Sequence, residues 1–232
     1  MEIKRAKDVK LSFVLGQILN NYTLIRSVEH AMIQNLELKG SWVDLGSGKS
    51  LSSEYDHLNH DNAKITLCDI DSNDESSVRQ VNLENNLPFS DEEFDGVMLC
   101  HTAQYIYNID QLFKEINRIT KRYLIVIMPY SLNYAPEVGV DYARYRSDYL
   151  NKKLDDCGFK EINIHPIFVG PFSNSFSVLE PFIRNRSIKS IFVLFSWLID
   201  KLILGAVSHR KRAAIIDRSV LGYICIAKKD YF

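Results

Sequence analysis

The residues whose types and spacing could do chemistry begin with residues 42–50, WVDLGSGKS, where a short apolar run ends in Asp44 and passes directly into a glycine turn. Gly46 and Gly48 permit a tight turn and let the backbone come close to a ligand, the arrangement that holds a nucleotide-type cofactor at the start of an α/β unit. The polar residues that follow predict a helix beginning near Ser50. Glycines can serve such a turn for packing alone, so the neighbouring sequence has to be read with it. A second apolar run, residues 64–69 (KITLCD), ends in Asp69, about 20 to 25 positions beyond the first, where a ribose-binding carboxylate is expected at the tip of the adjacent strand.

These residues need a sheet to position them, and the rest of the chain reads as one. Apolar residues recur at helical spacing over residues 9–36, predicting one long or two shorter amphipathic helices whose role is to cover the sheet. The charged residues there, Arg26, Glu29 and His30, could reach into a cofactor pocket, but are expected to be the solvated face and are left out of the site. After Asp69 the sequence turns polar and leaves little room for a full crossover helix before the next buried run, residues 94–100 (FDGVMLC). Residues 108–122 have helical spacing, residues 123–128 form a strand, and Pro129 stops it. A helix over residues 147–157, capped by Ser147 and closed by Gly158, precedes a strand at residues 160–164, and residues 221–228 give the last strand. Strand and helix alternating in this way predict the α/β class, a Rossmann-like doubly wound and mostly parallel sheet, with N-terminal helices and a helical insertion before the last strand. The expected organisation is a single domain over residues 1–232: a helical cover (1–40), a cofactor-binding core (41–165), the insertion (166–215) and the last strand (220–229).

With 232 residues, 46% hydrophobic and 25% charged, the chain can bury a sizeable core. A formal net charge of -1 gives no drive toward nucleic acid, and the basic clusters at residues 184–189 and 209–212 are too short to change that. The four cysteines are dispersed without paired spacing and no signal-peptide pattern opens the chain, so a reducing cytoplasm is expected. His57, His60, His165 and His209 lack metal-ligand spacing, and no metal is expected.

Taken in order, these motifs resemble the class I S-adenosylmethionine-dependent methyltransferases over nearly the whole chain. The resemblance implies S-adenosylmethionine as cofactor and S-adenosylhomocysteine as product. In VDLGSGKS it places Asp44 and the backbone of Gly46, Ser47 and Gly48 against the methionine portion. It gives Asp69 the ribose hydroxyls, with Ile70 beside the adenine. In NLENNLPFSDEEFDGVML it sets Asn82 at the adenine amino group and the backbone of Leu83 at the ring; Cys100 completes the cofactor set. Ser50 stands where a third glycine is usual, and Asn82 where an acid is commonest, though its carbonyl can accept the same hydrogen bond. Within the family the chain is most similar to small methyltransferases of bacterial polysaccharide biosynthesis, through Asp141-Tyr142-Ala143-Arg144-Tyr145 and the turn of residues 157–159. NYAPEVG replaces the histidine-bearing loop often found before that segment.

Methyl transfer needs in-line approach of an acceptor atom, and a sugar hydroxyl gains from a base that takes its proton. His101 is the first candidate, just past the carboxyl end of the fourth strand, the edge at which open α/β sheets bind ligands. Asp141 is the second, as base or as a hydrogen-bonding anchor. Tyr105, Tyr142, Arg144 and Tyr145 suit a carbohydrate pocket, where aromatic faces stack on sugars and arginine grips a carboxylate or phosphate. The expected activity is O-methylation of a sugar hydroxyl of a surface polysaccharide or its lipid-linked precursor. The rivals are a small-molecule or lipid methyltransferase, an NAD-binding oxidoreductase, and a non-catalytic descendant that binds cofactor weakly or a protein partner. Residues 188–207 (IKSIFVLFSWLIDKLILGAV) are strongly apolar yet interrupted by Asp200-Lys201, and compete between a lid, a homodimer face and an interfacial helix on the inner face of a membrane.

Overall fold

A computed structural model describes residues 1–71, 77–130 and 139–229. Seven strands form one sheet in the order β3-β2-β1-β4-β5-β7-β6: β1 (Glu37–Leu45), β2 (Asn59–Asp69), β3 (Val78–Gln80), β4 (Phe94–Cys100), β5 (Thr120–Pro129), β6 (Phe159–Ile167) and β7 (Gly222–Lys229). Only β7 runs against the others, pairing antiparallel with both β5 and β6. The sheet class expected from the alternation of apolar runs is the one observed.

Period-2 alternation splits the buried side chains between two faces. Val43, Leu45, Val97, Leu99, Leu124 and Val126 meet α3 (Ile109–Ile119) and α4 (Ser147–Asp156) on one side. Trp42, Met98, Ile125 and Ile127 meet α1 (Leu11–Leu19), α2 (Leu24–Ile33), α5 (Pro171–Leu179) and α6 (Arg186–Ala206) on the other. In α3 the buried positions Ile109, Leu112, Phe113 and Ile116 recur every three or four residues, and the Asn108 side chain accepts from the Gln111 amide at 3.3 Å to cap its start. For α4, Arg146 rather than Ser147 occupies the cap position, and Gly158, at φ +94°, turns the chain out of it as expected.

The crossover between β1 and β2 departs from expectation. No helix begins near Ser50; residues 46–58 hold only a 3₁₀ turn, Ser53–Asp56, and β2 starts at Asn59, five positions before the expected residue 64. Thirteen residues are close to the shortest length on which a parallel crossover can be built. The helix α2 packs against the short turn instead. His30 Nε2 lies 3.2 Å from Ser53 Oγ, and its ring sits 4.2 Å from that of His57. Glu29 and His30 are therefore fully buried, not part of a solvated face. The second crossover is abbreviated as anticipated, with the three-residue β3 at the sheet edge. The insertion holds three helices, α5, α6 and α7 (His209–Arg218). Its hinge is Gly170, where a Cβ would lie 2.1 Å from Asp200 Cγ, because the buried Asp200 carboxylate accepts the Phe172 and Ser173 amides at 2.9 Å and so caps α5.

Candidate functional site

The hairpin after β1 is tied to both neighbouring strands. The amides of Gly46 and Ser47 donate to the Cys68 carbonyl at 2.7 and 3.0 Å, and the Gly48 amide donates to Asp69 Oδ2 at 2.8 Å. Thr102 Oγ1 donates toward the Gly46 carbonyl at 3.3 Å. The two glycines serve different ends. Gly46 (φ +82°) has Thr102 Oγ1 2.3 Å from where a Cβ would stand, so chain packing excludes a side chain there. Gly48 (φ +71°) has nothing within 4 Å of that point, and opens a cradle that the chain does not fill.

Asp44, in β1 two residues before the turn, is 1% exposed, and neither carboxylate oxygen has a hydrogen-bond partner at full geometry. Burial pushes the Asp44 carboxyl up to about 7, held back by the nearby Tyr55 phenol and helped by the Asp69 charge. A carboxyl raised in the folded state weakens the fold as pH rises from its unfolded value near 4 toward 7, because over that range the unfolded chain sheds the proton while the buried group keeps it. A cationic ligand group beside it would reverse that cost. Asp69 stands at the strand tip, its Oδ1 accepting the Asp71 amide at 3.0 Å, and Ile70 beside it is 56% exposed. Asn82 Oδ1 accepts the Glu84 amide at 2.9 Å, and Leu83 is buried. Cys100 is buried at the end of β4 and its thiol is pushed far up by burial, so it packs and does not react.

Next to the hairpin is a polar cluster that sequence reasoning passed over. His101, in the left-handed region at φ +52°, directs Nε2 at the Glu29 carboxylate, 2.9 Å away, and lies 3.6 Å from Glu54. Arg26 bridges the two buried carboxylates, reaching Glu29 at 3.3 Å and pairing with Glu54. Burial alone would raise the Glu29 carboxyl; the facing His101 ring and the Arg26 guanidinium outweigh it and hold the group below its ordinary value. Glu29, His30 and Glu54 could together ligate a cation. His30, however, spends both ring nitrogens on Gln17 and Ser53, at 3.0 and 3.2 Å, and Arg26 already compensates the carboxylates. The set is an ion network around His101.

The segment that begins at Asp141 is joined to this cluster. Gln104 Nε2 donates to the His101 carbonyl at 2.7 Å, and the Gln104 carbonyl accepts the Tyr142 amide at 2.8 Å. Tyr142 is half exposed, with its ring edge-on to Tyr107 at 5.3 Å, and Tyr105 lies in the intervening turn. Asp141 and Arg144 pair with each other, Oδ1 to Nη1 at 2.8 Å. Tyr145 sits in the core between α3 and α4, stacked on Tyr149 at 5.3 Å, and burial pushes its phenol up to about 12. Thus His101, Tyr105 and Tyr142 share one loop neighbourhood, the Asp141–Arg144 pair adjoins it, and Tyr145 points into the fold. Most of the NYAPEVG loop lies outside the described residues.

Residues 43–128 match the family model described as "Methyltransferase domain", a span running from β1 into β5. Comparison with curated protein sequences gives no match. Among solved structures, the chain is similar to Haemonchus contortus phosphoethanolamine N-methyltransferase 2 in complex with phosphomonomethylethanolamine and S-adenosylhomocysteine, at TM-score 0.52 and 17% identity over 93% of this chain and 53% of that one. It spans about half the length of that protein. An S-adenosylmethionine-dependent methyltransferase from Archaeoglobus fulgidus aligns at TM-score 0.52 and 16% identity, over 95% of both chains. The [4+2]-cyclase SpnF aligns at 0.55 and 14%, over 100% of this chain and 99% of that one, so this fold also carries other chemistry. Residues 43–128 thus match a methyltransferase-domain model, and the chain shares its fold with S-adenosylmethionine-dependent methyltransferases.

Proposed function

We propose that the protein transfers the methyl group of S-adenosylmethionine to a hydroxyl of a saccharide, as part of a surface polysaccharide or its lipid-linked precursor. The observation that supports this reading is the His101–Glu29 pair beside the hairpin: an alcohol is a weak nucleophile until it loses its proton, and an imidazole oriented by a carboxylate is suited to take it. Bound, the cofactor supplies an electrophilic methyl group on a sulfonium. Asp44 would receive the cofactor's ammonium group, the open space at Gly48 would admit its methionine portion, and Asp69 would accept from the ribose hydroxyls. Ile70, Asn82 and Leu83 would border the adenine. With Nε2–H donating to the Glu29 carboxylate, Nδ1 is left to accept the proton of the acceptor hydroxyl. As His101 gains that proton, two buried carboxylates face the new positive charge. Tyr105 and Tyr142 offer rings to the sugar, and the Asp141–Arg144 pair offers a donor and an acceptor to its substituents. Incubation with S-adenosylmethionine labelled in its methyl group and lipid-linked saccharide precursors tests the acceptor: the label should enter the saccharide in an alkali-stable ether. Label found only in an alkali-labile ester or in an amine contradicts the proposal.

Peripheral contact with an anionic membrane face belongs to the same reading. In α6 the residues Ile188, Ile191, Phe195, Leu198 and Leu202 recur every three or four positions and are exposed, Phe195 by 60% and Leu202 by 74%. Val193, Trp197 and the buried Asp200 face inward, so the helix is apolar on two sides. The buried Asp200 is turned away from the outer stripe. No helix among the described residues is long and apolar enough to cross a membrane, which leaves a helix lying in the interface. Purified protein should float with phosphatidylglycerol vesicles at low salt, and a Phe195→Ser, Leu202→Ser, Arg210→Glu variant should not. Wild-type protein that stays soluble and elutes as a dimer would assign the stripe to a second copy of the chain.

A further inference from the structure

A cavity of about 520 Å³ opens between the N-terminal turn, the end of β6 and the helices α6 and α7. It belongs to β6, four strands from the β1 hairpin, or about 19 Å at the usual strand spacing of about 4.8 Å. Met32, Phe168, Trp197 and Leu204 make its walls apolar. Its size falls within the range of roughly 300 to 1,000 Å³ typical of small-ligand pockets. Water gains little there, since an ordered water needs two or more polar partners.

The polar groups of this cavity are mostly of one sign. Arg5, Lys7, Lys201 and Arg212 all line it and are exposed. Among the described residues, Arg5 pairs with the exposed Asp8 at 3.2 Å, and Lys7, Lys201 and Arg212 have no carboxylate partner. The single carboxylate in the lining, Asp200, spends both oxygens on the amides that open α5. Burial lowers the proton affinity of His165, so that ring stays neutral. An apolar interior with uncompensated cations around it is complementary to one kind of molecule.

We infer that this cavity holds the apolar chain of an anionic amphiphile, whose phosphate or carboxylate is gripped by Lys7, Lys201 and Arg212. The inference stands apart from the acceptor assignment, since the site is remote from the hairpin and makes no use of His101. Trp197 provides the readout, being one of only two tryptophans; the other, Trp42, is 1% exposed in the core. Titration of the full chain with 11-bromoundecyl phosphate, below its micelle concentration, should quench Trp197 emission saturably at one ligand per chain. 11-Bromoundecanol should bind at least tenfold more weakly. Lys201→Glu with Arg212→Glu alters two exposed residues and should weaken the phosphate at least tenfold while leaving the alcohol unchanged. Phe195→Ser with Leu202→Ser should change nothing, which separates cavity binding from adsorption to the outer stripe of α6. Vesicles of brominated phosphatidylglycerol distinguish the sources: quenching by vesicles as well as by the monomer means a chain drawn from the membrane, and quenching by the monomer alone means a soluble amphiphile. Absence of saturable quenching, equal affinity for alcohol and phosphate, or full affinity in the charge-reversed variant would overturn the inference.

Discussion

Replacing His101 by alanine is expected to lower turnover by about 100- to 10,000-fold, the usual contribution of a positioned general base, while S-adenosylmethionine affinity changes little. The deficit should shrink as pH rises, because solvent hydroxide can take the acceptor proton that the missing imidazole would have taken. Glu29→Gln probes the same step through orientation. Glutamine keeps a hydrogen-bonding side chain against Nε2 but withdraws the negative charge, so kcat should fall with KM nearly unchanged, and by less than in the alanine variant. Steady-state kinetics across pH check both. An alanine variant with wild-type turnover and an unchanged pH profile would move the role to Asp141 or to positioning alone.

The second large effect is expected at Gly48. The Cβ of a valine there meets no atom of the chain within 4 Å, so the protein should fold, at a cost of about 1–2 kcal/mol for a side chain held at φ +71°. The same side chain would occupy the open cradle, and S-adenosylmethionine binding should be lost. Gly46 would make a poorer test, since its added Cβ collides with Thr102 and harms the loop itself. Thermal unfolding establishes that the valine variant is folded, and calorimetry reads its affinity. Binding at wild-type strength would remove the pocket from the hairpin.

The central sheet was legible because a buried parallel strand and an amphipathic helix each write their period into the sequence, as FDGVMLC of β4 and the spacing from Ile109 to Ile119 do. The glycine turn and Asp69 were legible for a similar reason: strand ends place them by chain order alone. What sequence could not show was the polar cluster around His101. Arg26, Glu29 and His30 sit on one arc of α2 with mixed charges, the same pattern a solvated helix face presents. The burial of Glu29 and His30 follows from the missing helix between β1 and β2, which lets the turn Ser53–Asp56 bring Glu54 and Ser53 onto α2. A signal existed in the shortness of residues 46–58, but Ser50 looked like a helix start. Tyr145 illustrates the converse. Its place in a motif suggested a ligand contact, while its ring stacks on Tyr149 and is buried in the core.

Calorimetry of the wild-type protein with S-adenosylmethionine, S-adenosylhomocysteine and NAD tests the account most directly. An orphaned buried carboxylate at Asp44, an open cradle at Gly48 and an acidic strand tip at Asp69 predict that both sulfur compounds bind at one per chain and that NAD does not. Saturable binding of NAD, or no binding of either sulfur compound by folded protein, would contradict it.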